Sequence, residues 1–165
     1  MWHIEDTWAR TAGHVAVNEP ADLLRCTFFD WDSVLFDISS AKLLIADDYF
    51  QRLTSNVMDI RLEKNPNPIG SLVRALRRAA LWNVFFGPRL TAFSMHYLEE
   101  VPWHELVELD CRAFPKHVLK HLDRDRLLTR LNSPRTVASS VVTLPVPKGH
   151  QLTLPLDTEM SNLSP

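Results

Sequence analysis

Two histidines, His117 and His121, stand four residues apart in a segment whose apolar spacing predicts a helix. That spacing can place both imidazoles on one metal ion. The segment lacks the glutamate that follows the first histidine of an H-E-x-x-H motif, and Lys120 places a positive charge beside the pair. The pattern therefore favours a solvated helix face, and we expect no bound metal and no other cofactor. His96 and His104 belong to no comparable constellation.

Three arginines, Arg74, Arg77 and Arg78, cluster on one face of another predicted helix. Guanidinium groups bind phosphates, so this face is a candidate for nucleic-acid contact. A solvated or salt-bridged face is the more common role of such a cluster. The chain has eighteen Lys and Arg against twenty Asp and Glu, so no strong field attracts it to nucleic acid or membrane. Direct DNA contact is therefore not the favoured interpretation.

A further candidate site lies in the segment FFDWDSVLF, residues 28–36. The segment resembles the first motif of haloacid-dehalogenase phosphatases, an apolar strand that ends in D-x-D. The resemblance implies that Asp30 attacks phosphorus and Asp32 protonates the leaving group, with magnesium balancing the charge. The lysine and the later acidic pair of that family have no counterpart in a matching α/β context here. The alternative is that both aspartates are surface caps beside buried aromatic residues, and we expect a protein that is not an enzyme.

The peptide QLTLPLD, residues 151–157, lies in a stretch that starts at Asn132 and contains several prolines and serines. Leucines at alternating positions of an extended peptide can enter a preformed apolar cleft, and the amide of Gln151 offers a donor and an acceptor. Burial of one leucine contributes about 1.5–3 kcal/mol. After ordering costs of a few kcal/mol, three leucines predict a dissociation constant of roughly 1 μM. Pro155 reduces the ordering cost.

This peptide resembles the hexapeptide form of the bacterial sliding-clamp-binding motif, which occurs in translesion polymerases and in the replication regulator Hda. The resemblance implies that Gln151, Leu152, Leu154 and Leu156 bind the DNA polymerase III β sliding clamp. The glutamine would fill a polar subsite, and Leu154 and Leu156 would fill the main apolar pocket. The resemblance covers seven of the 165 residues, so it predicts a partner and not a fold.

The chain is also small and carries no polymerase, nuclease or nucleotide-binding motif that we recognise. This combination resembles SocB-like toxins, which block replication elongation through the clamp and are held in check by a proteolytic adaptor. The resemblance implies competition with polymerase for the clamp, and further partners in an antitoxin or adaptor and an AAA+ protease. The alternatives are a translesion or phage accessory factor recruited by the clamp, and the magnesium-dependent phosphatase that would use Asp30 and Asp32.

Composition indicates a mainly helical protein in a reducing compartment. Glycine is scarce, with four residues in 165, and this scarcity disfavours a nucleotide-binding α/β sheet. Two cysteines, Cys26 and Cys111, fit a reduced state. The first residues do not have the pattern of a signal peptide, and no stretch is apolar over about 18 residues. We therefore expect a cytoplasmic protein without membrane contact.

The elements that would position these residues are five helices and one strand. Apolar spacing predicts helices over residues 41–56, from Gly70 to a break at Gly87-Pro88, and over residues 91–100, 103–111 and 115–131. A strand is predicted at residues 26–29, and Asn65-Pro66-Asn67-Pro68 is predicted to be a linker. The expected architecture is a compact, mainly α domain at residues 1–131 with a small β element, followed by a disordered tail at residues 132–165.

Overall fold

The computed structural model describes residues 4–132. The α-helices are α1 Trp8–Thr11, α2 Tyr49–Thr54, α3 Pro68–Trp82, α4 Pro88–Glu100, α5 Trp103–Ala113 and α6 Arg124–Asn132. Short 3-10 turns occupy Ile4–Asp6, Pro20–Arg25, Asp30–Asp32 and Leu119–His121. The strands are β1 Val34–Asp37, β2 Lys42–Ile45, β3 Val57–Met58 and β4 Phe85–Phe86.

This architecture confirms the predicted fold class, mainly α with small β elements, for the residues that the structure describes. The predicted tail lies outside these residues, apart from Asn132 at the end of α6. No helix between residues 4 and 132 combines the length and the apolar character that a membrane crossing requires.

Helix α3 is the centre of the core. Its apolar residues at helical spacing form a buried face: Leu72, Val73, Leu76, Ala79, Ala80 and, just after the helix, Val84. The helix begins at Pro68, two residues before the predicted start, because Asn67 caps it by accepting a hydrogen bond from the Gly70 N–H at 2.9 Å. The last proline of the predicted linker is therefore the first residue of the helix.

Helices α4 and α5 closely match the predicted segments. Helix α4 begins at Pro88 because proline suits the first turn, and Gly87 precedes it in an extended conformation. The Asp59 carboxylate accepts a hydrogen bond from the Leu90 N–H at 2.7 Å and so caps the first turn of α4 from a distant loop. Helix α5 ends at Ala113, two residues beyond the predicted end.

The prediction of a helix over residues 41–56 was wrong in its first half. Strands β1 and β2 form an antiparallel hairpin instead, in the register Val34 to Ile45 through Asp37 to Lys42. The turn is closed by the Asp37 carboxylate, which accepts hydrogen bonds from the Ser39 N–H and the Ser40 hydroxyl. Within the hairpin turn Ala41 has a φ of +52°, which interrupts helical geometry.

The hairpin leaves large apolar side chains exposed. Phe36 and Leu43 are cross-strand neighbours, and 58% and 55% of their surfaces remain accessible. Ile38, in the turn, is 87% exposed. The helical spacing of residues 43–53 therefore did not mark a buried stripe, because its first residues belong to a strand with one open face.

The strand predicted at residues 26–29 was also misplaced. Only Phe29 forms a β-bridge, an antiparallel one with Ile60, and the first strand begins at Val34. Near this bridge, β3 and β4 pair in parallel, with Val57 opposite Phe85. These short pairings join the loops on either side of α3 and bury the ring of Phe29 completely.

The helix predicted over residues 115–131 was wrong up to Asp123. Residues 114–118 form a loop, Leu119–His121 is a 3-10 turn, and α6 begins at Arg124. The physical reason is the Asp110 carboxylate, which accepts hydrogen bonds from the N–H groups of Val118 and Leu119 at 2.7 and 2.8 Å. Amides held by a side chain of α5 are not available to a continuous helix.

Candidate functional site

The predicted clamp-binding residues, Gln151, Leu152, Leu154 and Leu156, lie outside residues 4–132, and their role stays a prediction. The described domain offers three other places for polar chemistry or ligand binding. These are the arginines of α3, the carboxylates around Asp30, and a groove along α4.

Arg77 is buried and serves the core. Its guanidinium pairs with Asp110, which is fully buried, and donates a hydrogen bond to the Lys116 carbonyl oxygen at 2.6 Å. The same group stacks on Phe114, with its Cζ atom 3.9 Å from the ring centroid. Arg77 thus joins α3, α5 and the loop after α5, and it is not available to a phosphate.

Arg78 and Arg74 lie further out on the same helix. Arg78 donates to both carboxylate oxygens of Asp32 at 2.8 and 3.2 Å, and it lies over the rings of Phe29 and Trp82. Arg74 is exposed and donates to the Ser71 hydroxyl. The three arginines therefore do not form one open cationic patch; two of them make the salt-bridged face that was the alternative interpretation.

Asp30 and Asp32, the aspartates of the phosphatase-like segment, face different partners. Asp32 forms a salt bridge with the guanidinium group of Arg78. Asp30 is 4% exposed, and its Oδ1 atom accepts a hydrogen bond from the Asp59 N–H at 2.9 Å. Both residues sit on a 3-10 turn before a hairpin and not at the carboxyl end of a parallel sheet. The structure does not bring the two carboxylates together around a common ligand.

The second oxygen of Asp30 faces a small charged cluster. Burial raises the pKa of Asp30, and the Oδ2 atom has no hydrogen-bond partner within the described part of the chain. Arg52 approaches this oxygen with its Nε atom at 3.8 Å. Asp48 holds Arg52 at 3.2 Å and Arg61 at 2.6 Å, and the hydrogen bond from Arg61 lowers the pKa of Asp48. The cluster connects α2, through Arg52, to Asp30 and to the residues after β3.

His117 and His121 do not share a helix face. His117 lies in the loop that the Asp110 carboxylate organises, and His121 ends the 3-10 turn. Between residues 4 and 132, no three His, Cys, Asp or Glu side chains converge as metal ligands. His96 belongs to the groove along α4, and the exposed His104 lies in the first turn of α5.

A groove of about 590 Å³ runs between α4 and the loop from Ile60 to Pro68. Its size falls within the roughly 300–1,000 Å³ that is usual for ligand sites. The α4 side presents Phe93 and Tyr97, whose ring centroids are 4.8 Å apart. The opposite wall presents Ile60 and Pro68.

The mouth of this groove is charged. Arg89 donates from Nη1 to the Ile60 carbonyl oxygen at 3.2 Å, and its Nη2 atom lies 3.5 Å from the Glu63 carboxylate. Lys64 adds a second cation, and His96 also lines the groove, with its ring against that of Tyr97. The guanidinium of Arg89 is half exposed, and Glu63 is 77% exposed. An apolar floor with a cationic mouth suits a peptide that combines apolar side chains with an acidic end.

Sequence reasoning missed this groove. Apolar spacing over residues 91–100 predicted a helix but no open face at Phe93 and Tyr97, although the charged Arg89 lies on the same face, one turn before Phe93. Positions 89, 93 and 97 follow each other at intervals of four, and a stripe that begins with arginine is the signal that could have indicated an open face. The second wall comes from a loop, which helical spacing does not predict.

The described residues define a mainly helical domain with a salt-bridged core around α3 and an open aromatic groove beside α4. No protein-family model, no curated protein and no solved structure matches the chain.

Proposed function

We propose that the protein binds the bacterial DNA polymerase III β sliding clamp through residues 151–157 and competes with polymerase for it, so that it inhibits replication elongation. The proposal depends on one observation, the sequence Gln151-Leu152-Thr153-Leu154-Pro155-Leu156 in a Pro-containing stretch after the last helix of the domain. The clamp acts in the cytoplasm, and the proposed site of action is there.

The length of the connecting chain is consistent with this role. Eighteen residues, 133–150, separate the end of α6 from Gln151. A chain of this length spans at most about 60 Å. That reach allows the peptide to enter a groove on the clamp while the domain stays outside, where it would occupy space next to the bound peptide.

Competition follows from shared use of one groove. Clamp-binding polymerases resemble this chain in the same short peptide, so a bound inhibitor lowers the free fraction of clamp by mass action. A dissociation constant of roughly 1 μM gives substantial occupancy only at a comparable local concentration. Inhibition therefore depends on the abundance of this protein. Its degradation through an adaptor and an AAA+ protease would reverse the inhibition.

The direct test measures affinity of the full chain for purified β clamp by calorimetry. The test variant combines Gln151→Ala, Leu154→Ala and Leu156→Ala, and we expect affinity to fall at least about 100-fold because two leucines lose their burial. The chain provides a matched control, since Val141, Leu144 and Val146 have the same spacing in VVTLPV. Replacement of these three by alanine should leave affinity unchanged.

A second measurement separates an inhibitor from a recruited accessory factor. In clamp-dependent primer extension, the wild-type chain should slow elongation, and the triple variant at positions 151, 154 and 156 should not. Growth arrest on overexpression should likewise depend on these residues. Equal affinity of the triple variant for the clamp would refute clamp binding. Binding without slower elongation would refute inhibition and favour recruitment.

A further inference from the structure

The orientation of α6 determines at which end of α4 the described chain ends. Helix α6 starts beside the C-terminal end of α4, where Arg124 donates to the Leu98 carbonyl oxygen at 2.9 Å. Near its other end, Arg130 lies over the ring of Phe85, three residues before α4 begins. Helix α6 is therefore antiparallel to α4, and it ends toward the end of α4 that carries Arg89.

The length of chain beyond α6 is ample for a return to this groove. Helix α4 has 13 residues and a length of about 20 Å. The eighteen residues before Gln151 span at most about 60 Å, which is several times the length of α4. Geometry thus permits residues 151–157 to reach every part of the groove, including the mouth at Arg89.

Residues 151–157 also match the groove in chemistry. Their leucines suit a floor formed by Phe93, Tyr97 and Ile60. The peptide ends in Asp157, and Glu159 follows two residues later, while the groove mouth carries Arg89 and Lys64. Glu63 holds Arg89 only at 3.5 Å and is 77% exposed, so an incoming carboxylate can replace it at little cost.

We propose that the groove along α4 binds residues 151–157 of its own chain and thereby withholds the clamp-binding peptide from the clamp. The regulatory consequence rests on the proposed function, whereas the docking itself does not. A tethered peptide has an effective concentration on the order of millimolar. A groove with a comparable intrinsic dissociation constant holds the peptide in half or more of the molecules and weakens clamp binding about 2- to 10-fold.

Docking is tested on the full chain by amide NMR. Exposed groove residues, Glu63, Lys64, Ala92 and His96, should change chemical shift when Gln151, Leu154 and Leu156 are replaced by alanine. The VVTLPV control variant, with alanine at 141, 144 and 146, should leave the chemical shifts of these amides unchanged. A synthetic peptide of residues 151–159, added to the triple variant, should restore the wild-type shifts with a millimolar dissociation constant.

A groove-blocking variant tests the consequence for the clamp. Ala92→Glu places a larger, negatively charged side chain in the groove at an exposed position that makes no core contact. Clamp affinity should rise about 2- to 10-fold, whereas Ala12→Glu, at an exposed position outside the groove, should leave affinity unchanged.

The two proposals fail in different ways. If neither the triple variant nor the added peptide changes the chemical shifts of the groove amides, the groove does not bind this peptide and the docking proposal is wrong. If the groove amides respond but no clamp binding is measured, docking stands and the clamp proposal is wrong. If docking is measured and Ala92→Glu leaves clamp affinity unchanged, the groove does not regulate clamp access.

Discussion

Asp30 and Asp59 hold each other through an exchange of hydrogen bonds. The Asp30 N–H donates to the Asp59 carbonyl oxygen at 3.0 Å, and the Asp59 N–H donates to Oδ1 of Asp30 at 2.9 Å. The Asp59 carboxylate in turn caps the start of α4 through the Leu90 N–H. One buried carboxylate therefore fixes a second one, and the second fixes the helix that forms one wall of the groove.

Replacement of Asp30 by asparagine should cost little stability. The amide oxygen can still accept from the Asp59 N–H, and the buried charge disappears; the free energy of unfolding at about pH 7 should change by no more than about 1 kcal/mol. Asp30→Ala leaves the Asp59 N–H without its acceptor and should cost about 1–3 kcal/mol. Urea denaturation measures both. A greater loss in Asp30→Asn than in Asp30→Ala would contradict this role.

The buried carboxyl group of Asp30 also predicts a pH dependence of stability. Burial raises the folded-state pKa of Asp30, so the native state binds this proton more tightly than the unfolded state does. The contribution of Asp30 to stability is therefore most favourable at low pH and is lost as pH rises through the folded-state pKa. Asp30→Asn lacks this titration. Its stability relative to wild type should rise from about pH 4 to about pH 7, and a flat difference would exclude the effect.

Asp110 should be among the most sensitive positions of the domain. Asp110→Ala leaves Arg77 buried without its partner and frees the N–H groups of Val118 and Leu119, so we expect a loss of about 3–5 kcal/mol. Glu108→Ala, exposed on the same helix, serves as control and should change stability by less than about 0.5 kcal/mol. The double replacement Arg77→Met with Asp110→Leu should recover part of the loss. Equal effects of Asp110→Ala and Glu108→Ala would show that the buried pair is unimportant.

Gly87 is required for space and not for backbone freedom. Its φ is −67°, which any residue adopts, but a Cβ atom there would overlap the Asp59 carboxyl group. Gly87→Ala should cost about 1–3 kcal/mol by displacing the cap of α4. In an Asp59→Ala background the same change should cost much less, which a double-mutant cycle measures. Additive losses would place the strain elsewhere.

Loss of the N-cap of α3 should have a smaller effect on the free energy of unfolding. Asn67→Ala removes the acceptor for the Gly70 N–H and should lower the free energy of unfolding by about 1 kcal/mol. Asn67→Asp retains an acceptor and adds a negative charge at the helix start, so its stability should stay near that of wild type. Thermal unfolding of both variants tests the cap, and equal melting temperatures for alanine and aspartate would argue against it.

Helices whose apolar residues keep helical spacing over several turns could be predicted from sequence. Elements fixed by distant side chains could not. The buried face of α3 and the positions of α4 and α5 follow from spacing and from prolines at helix starts. The segment after Pro115 has equally good helical spacing, but two of its amides bind Asp110, which lies eight and nine residues earlier and on another element. No local pattern contains that interaction.

The candidate sites differ in the same way: those formed by distant residues could not be predicted from sequence, and the one formed by a short peptide could be proposed from it. Arg77 and Arg78 look like free cations in sequence because their partners, Asp110 and Asp32, are 33 and 46 residues away. The groove needs a wall from the loop after Ile60, so residues 89, 93 and 97 alone could not indicate it. The clamp-binding peptide is the opposite case, since its proposed recognition depends on a short linear pattern that sequence contains in full.

The distance along the chain between Arg77 and its partners has a consequence for biosynthesis. Arg77 is made early, while the Asp110 carboxylate and the Lys116 carbonyl that satisfy it emerge 33 and 39 residues later. Until then its charge stays in water, and α3 cannot bury that side of its surface without an unpaired cation. We therefore expect the nascent chain to remain open on the ribosome until the loop after α5 has left the exit tunnel, and then to close in one step.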